Sequence, residues 1–400
     1  MSSFKRKQTA KTPQALPGTR LSPATPATTI VSTGIPSLDD ILGGGLPLSC
    51  TLLILAPDHH TSYGELVQKY FIAQGISCGQ TVCIVDDEAE DFVRNVMWIP
   101  SSSQPQSEAT DQDEKNDGAS SEGIKIAWRY ANMKQFQTTV GASSPSDEFC
   151  QTFDLTSRIP QTVINRAARA YISVADGPDA VLHQIAALLE SRGNDRPVRI
   201  CVRSLGSPEW GDMGGQARRL ILRFLYSLRS ILRRNPHACA SLGLVSHWSG
   251  DQSGGVGWVQ KLGWISDAAI SLSAFSSNPS LSAAFPSHHG LVQTHSLPSA
   301  HTLLCPSDRY STLRGLSSSA GSSVGCGENN LAFKCTRKRL MVETLHLGVE
   351  GGVSERRTSR PAVTVGEEEV AVGSESERAE KLVGRKRVGF RADRPELYEF

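Results

Sequence analysis

The alternation of apolar and polar positions divides the chain into recognisable pieces. Thr51 to Ala56 (TLLILA) is a continuous apolar run, the pattern of a strand buried on both faces of a parallel sheet. Ahead of it a short helical piece ends at Gly43, Gly44 and Gly45. Behind it, Tyr63 to Gln74 carries Leu66, Val67, Tyr70 and Phe71 at helical spacing, and Gly75 is placed to end that helix. Thr81 to Val85 (TVCIV) is the next strand, with Asp86, Asp87 and Glu88 at its solvated end. From Phe149 to Pro160, Phe153, Leu155 and Ile159 alternate with polar positions that include Asp154 and Arg158. Gly177-Pro178-Asp179 opens a helix whose apolar stripe is Val181, Leu182, Ile185, Leu188 and Leu189, with Gly193 just past its end. Val198–Leu205, Leu242–Ser246 and Ala268–Leu272 read as further buried strands. This succession predicts an α/β fold with a mainly parallel central β-sheet flanked by helices.

The cleanest helical pattern runs from Gly215 to Asn235. Ala217, Leu220, Ile221, Phe224, Leu225, Leu228, Ile231 and Leu232 share one face, and Arg218, Arg219, Arg223, Arg229, Arg233 and Arg234 occupy the rest. No acidic residue accompanies these arginines, so the helix cannot neutralise itself. Its basic face is either solvated or turned to something negative, RNA phosphate or an acidic neighbouring subunit. Gly254 to Gly263 reads as a loop with Trp258 and Trp264 at its end, placed either to pack within the domain or to stack on a base or fill a partner's pocket. Later, Leu291–Leu297 is expected to pair with Leu331–Leu347, where Lys334, Arg337, Lys338 and Arg339 make a second basic patch.

Composition sets the boundaries. Residues 1–28 mix Lys5, Arg6, Lys7, Lys11 and Arg20 with Pro, Ser, Thr and Ala, and are expected to be a disordered tail; a nuclear signal is the alternative reading of the basic cluster. The segment 101–123 is acidic and almost without apolar residues, an expected mobile insertion, after which Ile124–Tyr130 resumes alternation. A Gly/Ser loop spans 316–330, and the polar stretch 350–400 reads as a second disordered tail. One ordered domain, 29–349, remains. Hydrophobic content of 39% fits a chain in which tails and loops are extensive. With 41 basic against 40 acidic residues, the chain is not a uniformly basic nucleic-acid binder, so any RNA surface is a local patch. Nine cysteines without a Cys-x-x-Cys pair suggest neither a zinc knuckle nor a disulfide framework, and a reducing compartment, cytoplasm or nucleus, fits. The pairs His59-His60 and His288-His289 lack a third ligand nearby, and no apolar run is long enough to span a membrane.

A glycine turn, a buried strand, a loop and a helix are also the local order of a phosphate-binding loop. Such a loop needs Gly-x-x-x-x-Gly-Lys-Ser/Thr, with glycines to let backbone N–H groups converge, a lysine for charge and a hydroxyl for magnesium. The equivalent window is Ala56-Pro57-Asp58-His59-His60-Thr61-Ser62-Tyr63. Both glycines are missing, Ser62 takes the lysine position, Tyr63 the hydroxyl position, and Asp58 adds negative charge. The strand Val198–Leu205, where a second magnesium-associated acid would stand, ends in Arg203-Ser204. No nucleotide, metal or other cofactor, and no catalytic residue, is therefore expected.

Residues Thr33–Pro47, TGIPSLDDILGGGLP, resemble the segment that precedes the phosphate loop in RecA-type ATPases. With that loop erased, the chain resembles the family of the fourth subunit of the Elongator complex. Agreement extends to IKIAWRY (Ile124–Tyr130), FCQTFDLTSRIP (Phe149–Pro160), RSLGSPEWG (Arg203–Gly211) and LAFKCTRKRLMVETLHL (Leu331–Leu347), in the same order along the chain. The resemblance implies a RecA-like P-loop NTPase fold with degenerate Walker motifs. It implies a non-catalytic subunit that forms a hetero-hexameric ring with the fifth and sixth Elongator subunits, serves the catalytic Elongator subcomplex and binds tRNA for wobble-uridine modification. Location in cytoplasm and nucleus, without a membrane, goes with that reading. Two alternatives stand beside it: an active ATPase with a divergent loop, and an assembly scaffold that never touches RNA. ATP turnover at subunit boundaries of an assembled ring is implied as possible.

Overall fold

The structure, a computed structural model, describes residues 16–100, 149–193, 195–211, 214–314 and 330–345. The chain divides into two units, Met1–His346 and Leu347–Phe400, and every described residue belongs to the first. The chain begins with β1 (Thr19–Leu21), β2 (Thr29–Val31), α1 (Pro36–Ile41), β3 (Leu46–Pro47), β4 (Thr51–Leu55), α2 (Tyr63–Ser77), β5 (Thr81–Val85), α3 (Ala89–Arg94) and β6 (Met97–Trp98). It continues through β7 (Asp154–Arg158), α4 (Gln161–Arg166), β8 (Arg169–Ile172), α5 (Pro178–Ser191), β9 (Val198–Leu205), α6 (Ala217–Arg234) and β10 (Ala238–Leu244). The last elements are α7 (Asp251–Gly254), α8 (Trp258–Ile265), β11 (Ala268–Ala274), α9 (Pro279–Ala284), β12 (Gly290–Ser296), α10 (Ser307–Tyr310), β13 (Leu331–Cys335) and β14 (Leu340–Thr344).

The main sheet has the order β14-β13-β12-β11-β4-β10-β9-β5-β8. From β11 to β8 all neighbours are parallel, and β12, β13 and β14 extend the sheet antiparallel beyond β11. β4 lies between β11 and β10 and is buried along its whole length, as the TLLILA run predicts. Its side chains alternate between two cores. Leu52 and Ile54 join Val67, Phe71 and Ile84 under α2, while Leu53 and Leu55 join Val181, Ile185, Ile221, Phe224 and Leu228 under α5 and α6. Each such side chain contributes roughly 1.5–3 kcal/mol by leaving water. The predicted α/β class and helix-flanked, mainly parallel sheet are observed.

Several expectations change in detail. Gly75 does not end α2; it lies inside it. A Cβ there would stand 2.7 Å from Arg199 Cδ and 2.9 Å from Val82 Cγ1, so this glycine makes room for a buried arginine. Arg199 is fully buried, donating Nε to Gln80 Oε1 at 2.5 Å and Nη1 to the carbonyls of Ser32 (2.8 Å) and Phe71 (3.1 Å). The helix stops instead at Ser77, where Cys78 N–H closes onto Gln74 O and Gly79 follows with φ 67°.

Residues 16–28, expected to belong to a disordered tail, are built onto the domain. β1 pairs with β2, Arg20 donates to Gly44 O at 2.7 Å, and its guanidinium lies 4.0 Å over the Phe149 ring. Ladder hydrogen bonds and one stacked arginine order a segment that has little apolar surface of its own. Residues 1–15, the acidic insertion at 101–123, the Ile124–Tyr130 stretch, positions 316–329 of the Gly/Ser loop and the tail from 350 lie outside the described residues.

The run from Leu331 is two strands. β13 turns into β14 through Thr336–Arg339, closed by Thr336 N to Arg339 O (2.9 Å) and Arg339 N to Thr336 Oγ1 (3.1 Å). β12 pairs with β13 as expected. β14 is a sheet edge, yet two of its outward N–H groups are taken: Leu340 donates to Tyr70 Oη (3.1 Å) and Val342 to Ser37 Oγ (2.8 Å). The tryptophans expected in a loop sit on helix α8. Trp258 is buried and its indole donates to Trp248 O at 2.8 Å, whereas Trp264 is exposed. Among the described residues no helix is long and apolar enough to cross a membrane.

Candidate functional site: the loop after the central strand and two basic surfaces

The loop from Ala56 to Ser62 leaves the C-terminal end of β4, where a parallel sheet ordinarily places a ligand. Here its polar groups turn to neighbouring strand ends. Asp58 accepts from Ala274 N at 2.6 Å and from Ser277 Oγ at 3.1 Å, capping the end of β11. His59 Nδ1 and Ser246 Oγ share a hydrogen bond of 2.8 Å beyond β10. Tyr63 packs its ring 4.6 Å from Phe333, and the following Gly64 lies so close that a Cβ would meet Ala56 Cβ at 3.1 Å. Thr61 Oγ1 is buried without a hydrogen-bond partner, and Ser62 makes no side-chain cap to α2. The loop carries no lysine or arginine, and its one carboxylate is committed to β11.

Arg203 stands at the end of β9. It forms ion pairs with Asp86 at the end of β5 and with Glu65 on α2, the latter at 3.6 Å, and its guanidinium lies 4.2 Å over the Phe92 ring. The Asp86 side chain is only 7% exposed, so the solvated strand end expected for the acidic trio holds for Asp87 and Glu88, which are exposed, but not for Asp86. Burial pushes the Asp86 carboxyl upward, and the Arg203 charge opposes this. Asp87 accepts from Ser173 Oγ (2.6 Å) and Val174 N (2.9 Å), tying β5 to the chain after β8. A cation with two carboxylates locks three elements together at this point.

The basic helix α6 is partly neutralised from outside itself. Arg229 Nε and Arg233 Nη2 both donate to Asp267 Oδ1, at 2.9 and 2.6 Å, and Asp267 Oδ2 accepts from Thr51 N (2.9 Å) and Thr51 Oγ1 (3.2 Å). Asp267 is thus a buried clamp joining α6, β4 and the start of β11. Arg223 reaches Asp179 of α5 at 3.3 Å, both side chains well exposed, and Arg218 donates to Gly254 O at 3.1 Å. Arg234 donates to Ser230 Oγ at 3.2 Å, and Arg219 is exposed with no partner among the described residues. Arg218, Arg219 and Arg234 are therefore the arginines of this helix that meet no carboxylate among the described residues, and of these Arg219 alone has no hydrogen-bond partner there.

Arg337, Lys338 and Arg339 are exposed at the β13–β14 turn, and Lys334 is half-buried on β13. The two basic groups are not brought together: α6 covers one face of the sheet, whereas the turn lies beyond its edge, where Lys338 O accepts from Leu155 N at 2.8 Å. Sequence pattern located the arginines of α6 but not Asp267, which lies over thirty positions away; a lone acid directly before a buried strand was the available signal. His289 Nδ1 accepts from Cys335 N, and among the described residues no group of three His, Cys, Asp or Glu side chains could hold a metal.

A family model described as PAXNEB protein matches residues 12–381. The chain belongs to the PAXNEB family. It is similar to proteins named Elongator complex protein 4. The Xenopus laevis protein is 29% identical over 393 residues, covering 90% of this chain and 89% of the relative. The Danio rerio protein is 28% identical, covering 93% and 94%, and the Homo sapiens protein 28%, covering 83% and 80%. The family resemblance read from the motifs holds over most of the chain. The match from residue 12 also takes in β1, which composition alone assigned to a tail.

Proposed function

We propose that this protein is a non-catalytic, RecA-like subunit of the Elongator complex. In this reading it joins the fifth and sixth subunits in a hetero-hexameric ring, in cytoplasm and nucleus, that binds tRNA and supports wobble-uridine modification by the catalytic subcomplex. The names of its relatives support the complex. The observation that carries the non-catalytic part is the state of the two strand ends. After β4 the loop spends its carboxylate on β11, and after β9 Arg203 stands paired to Asp86 and Glu65. A phosphate-binding fold keeps its strands, helices and edges when these positions change, so its contacts with neighbours outlast its chemistry.

The test is co-expression with the fifth and sixth subunits, mass measurement of the product, and a tRNA mobility shift. The expected result is one hexameric species that shifts tRNA. A chain that stays alone in the presence of both partners would overturn the reading. The scaffold alternative draws support from Asp267 and Asp179, which engage three of the six α6 arginines. It expects the same hexamer with no tRNA shift.

A further inference from the structure

A cavity of about 340 Å³ opens between α2, the end of α3 and the β6–β7 ribbon, away from the loop after β4. Leu66, Met97 and Leu155 supply its apolar walls, and Lys69, Arg158, Asn95 and Ser157 its polar ones. Among the described residues no carboxylate lines it. Lys69 Nζ is held at 2.8 Å by Glu65, whose other oxygen lies 3.6 Å from Arg203, so that cation is oriented and partly balanced. Asp154, the acid at the start of β7, is occupied by Thr156 N and Oγ1 at 2.8 and 2.7 Å. Arg158 is exposed and, among the described residues, has no ion pair or hydrogen-bond partner; the same holds for the Ser157 hydroxyl. Asn95 donates its amide N–H to Asp91 O at 2.9 Å, which leaves its side-chain oxygen to accept.

We infer that this cavity binds a nucleotide, with the apolar walls against the base and Arg158, assisted by Lys69, on the phosphate. The volume lies at the small end of ligand pockets, which suits a single mononucleotide. Apolar walls with a few convergent polar groups suit a flat heterocycle, the Asn95 oxygen takes a ring N–H, and a guanidinium free of carboxylates suits a phosphate. The inference does not depend on the assembly or on the loop after β4. The same chemistry is offered by a free nucleotide and by one unpaired nucleotide within an RNA strand.

The test uses the full chain with two probes, uridine monophosphate and an oligouridylate of eight nucleotides, by titration calorimetry. Wild type is expected to bind at least one probe, and Arg158→Glu to weaken that binding about tenfold or more, equivalent to about 1.4 kcal/mol. Arg158 is exposed and unpartnered, so this variant should keep the wild-type thermal midpoint; Ser157→Asp, which places a carboxylate in the same wall, serves as the second variant. Binding of uridine monophosphate lost in both variants identifies a free-nucleotide site. Binding of the oligonucleotide alone, lost in both variants, identifies a site for a nucleotide within RNA. Absence of binding by both probes, or binding unchanged by both substitutions, overturns the inference.

Discussion

The buried ion pair of Arg203 and Asp86 is costly to break from one side only. Asp86→Ala strands a guanidinium whose side chain is 16% exposed, with only the more distant Glu65 left, and should destabilise by about 2–3 kcal/mol. The double variant Asp86→Leu with Arg203→Met should cost less than Asp86→Ala alone, because neither charge is then left without its partner. Urea unfolding of the three proteins checks the order. His237 and Asp39 give stability a pH dependence with opposite signs. Both His237 ring nitrogens are buried without partners, and burial lowers its pKa below the usual imidazole value. The unfolded chain therefore binds the proton first, and stability falls as pH drops through about 6.5. Asp39 is fully buried, and desolvation outweighs the hydrogen bonds it receives from Ser32 and Thr33, raising its pKa from 3.8 to about 6. The folded chain holds that proton more tightly, so the stability it contributes is present below 3.8 and lost as pH rises through about 6. Thermal midpoints are expected to decline from pH 7.5 towards 6 and then to flatten. His237→Leu should remove the decline, and Asp39→Asn the flattening.

At the scale of elements, Asp267 shows what a basic helix is for when its partner is internal. Asp267→Ala releases Arg229, Arg233 and Thr51 together and should destabilise by about 3 kcal/mol, whereas Arg219→Ala should change stability by no more than about 0.5 kcal/mol. Chemical denaturation separates the two. The helix itself was legible because eight apolar residues at helical spacing admit one face and one packing direction. β4 was legible because an unbroken apolar run fits only a strand covered on both sides. What the pattern did not carry was contact between distant positions. Gly75 looked like a stop because a glycine after a periodic run usually is one, and its actual reason, Arg199 beside it, lies on another strand. Asp86 looked solvated because its partner Arg203 is far along the chain. The hairpin at Thr336–Arg339 was read as one run because the basic turn is short and has no glycine.

For the whole molecule, the family match and the sheet order together frame the remaining chemistry. The loop after β4 is expected to hold no ATP in the isolated chain, so any retention at millimolar concentration in equilibrium dialysis should be unaffected by substitution at His59 and His60; retention abolished by such a substitution would refute this. In an assembled ring, charge reversal at Arg219 and Arg234 is expected to weaken tRNA binding by about tenfold while leaving the hexamer intact. Unchanged affinity would remove α6 from the RNA surface. The hydroxyls of Tyr70 and Ser37 that occupy β14 bear on how copies can associate. With two donors of that border already spent on hydroxyls of its own helices, a neighbouring strand would find fewer groups to pair with there, which blunts the edge as a template for another chain.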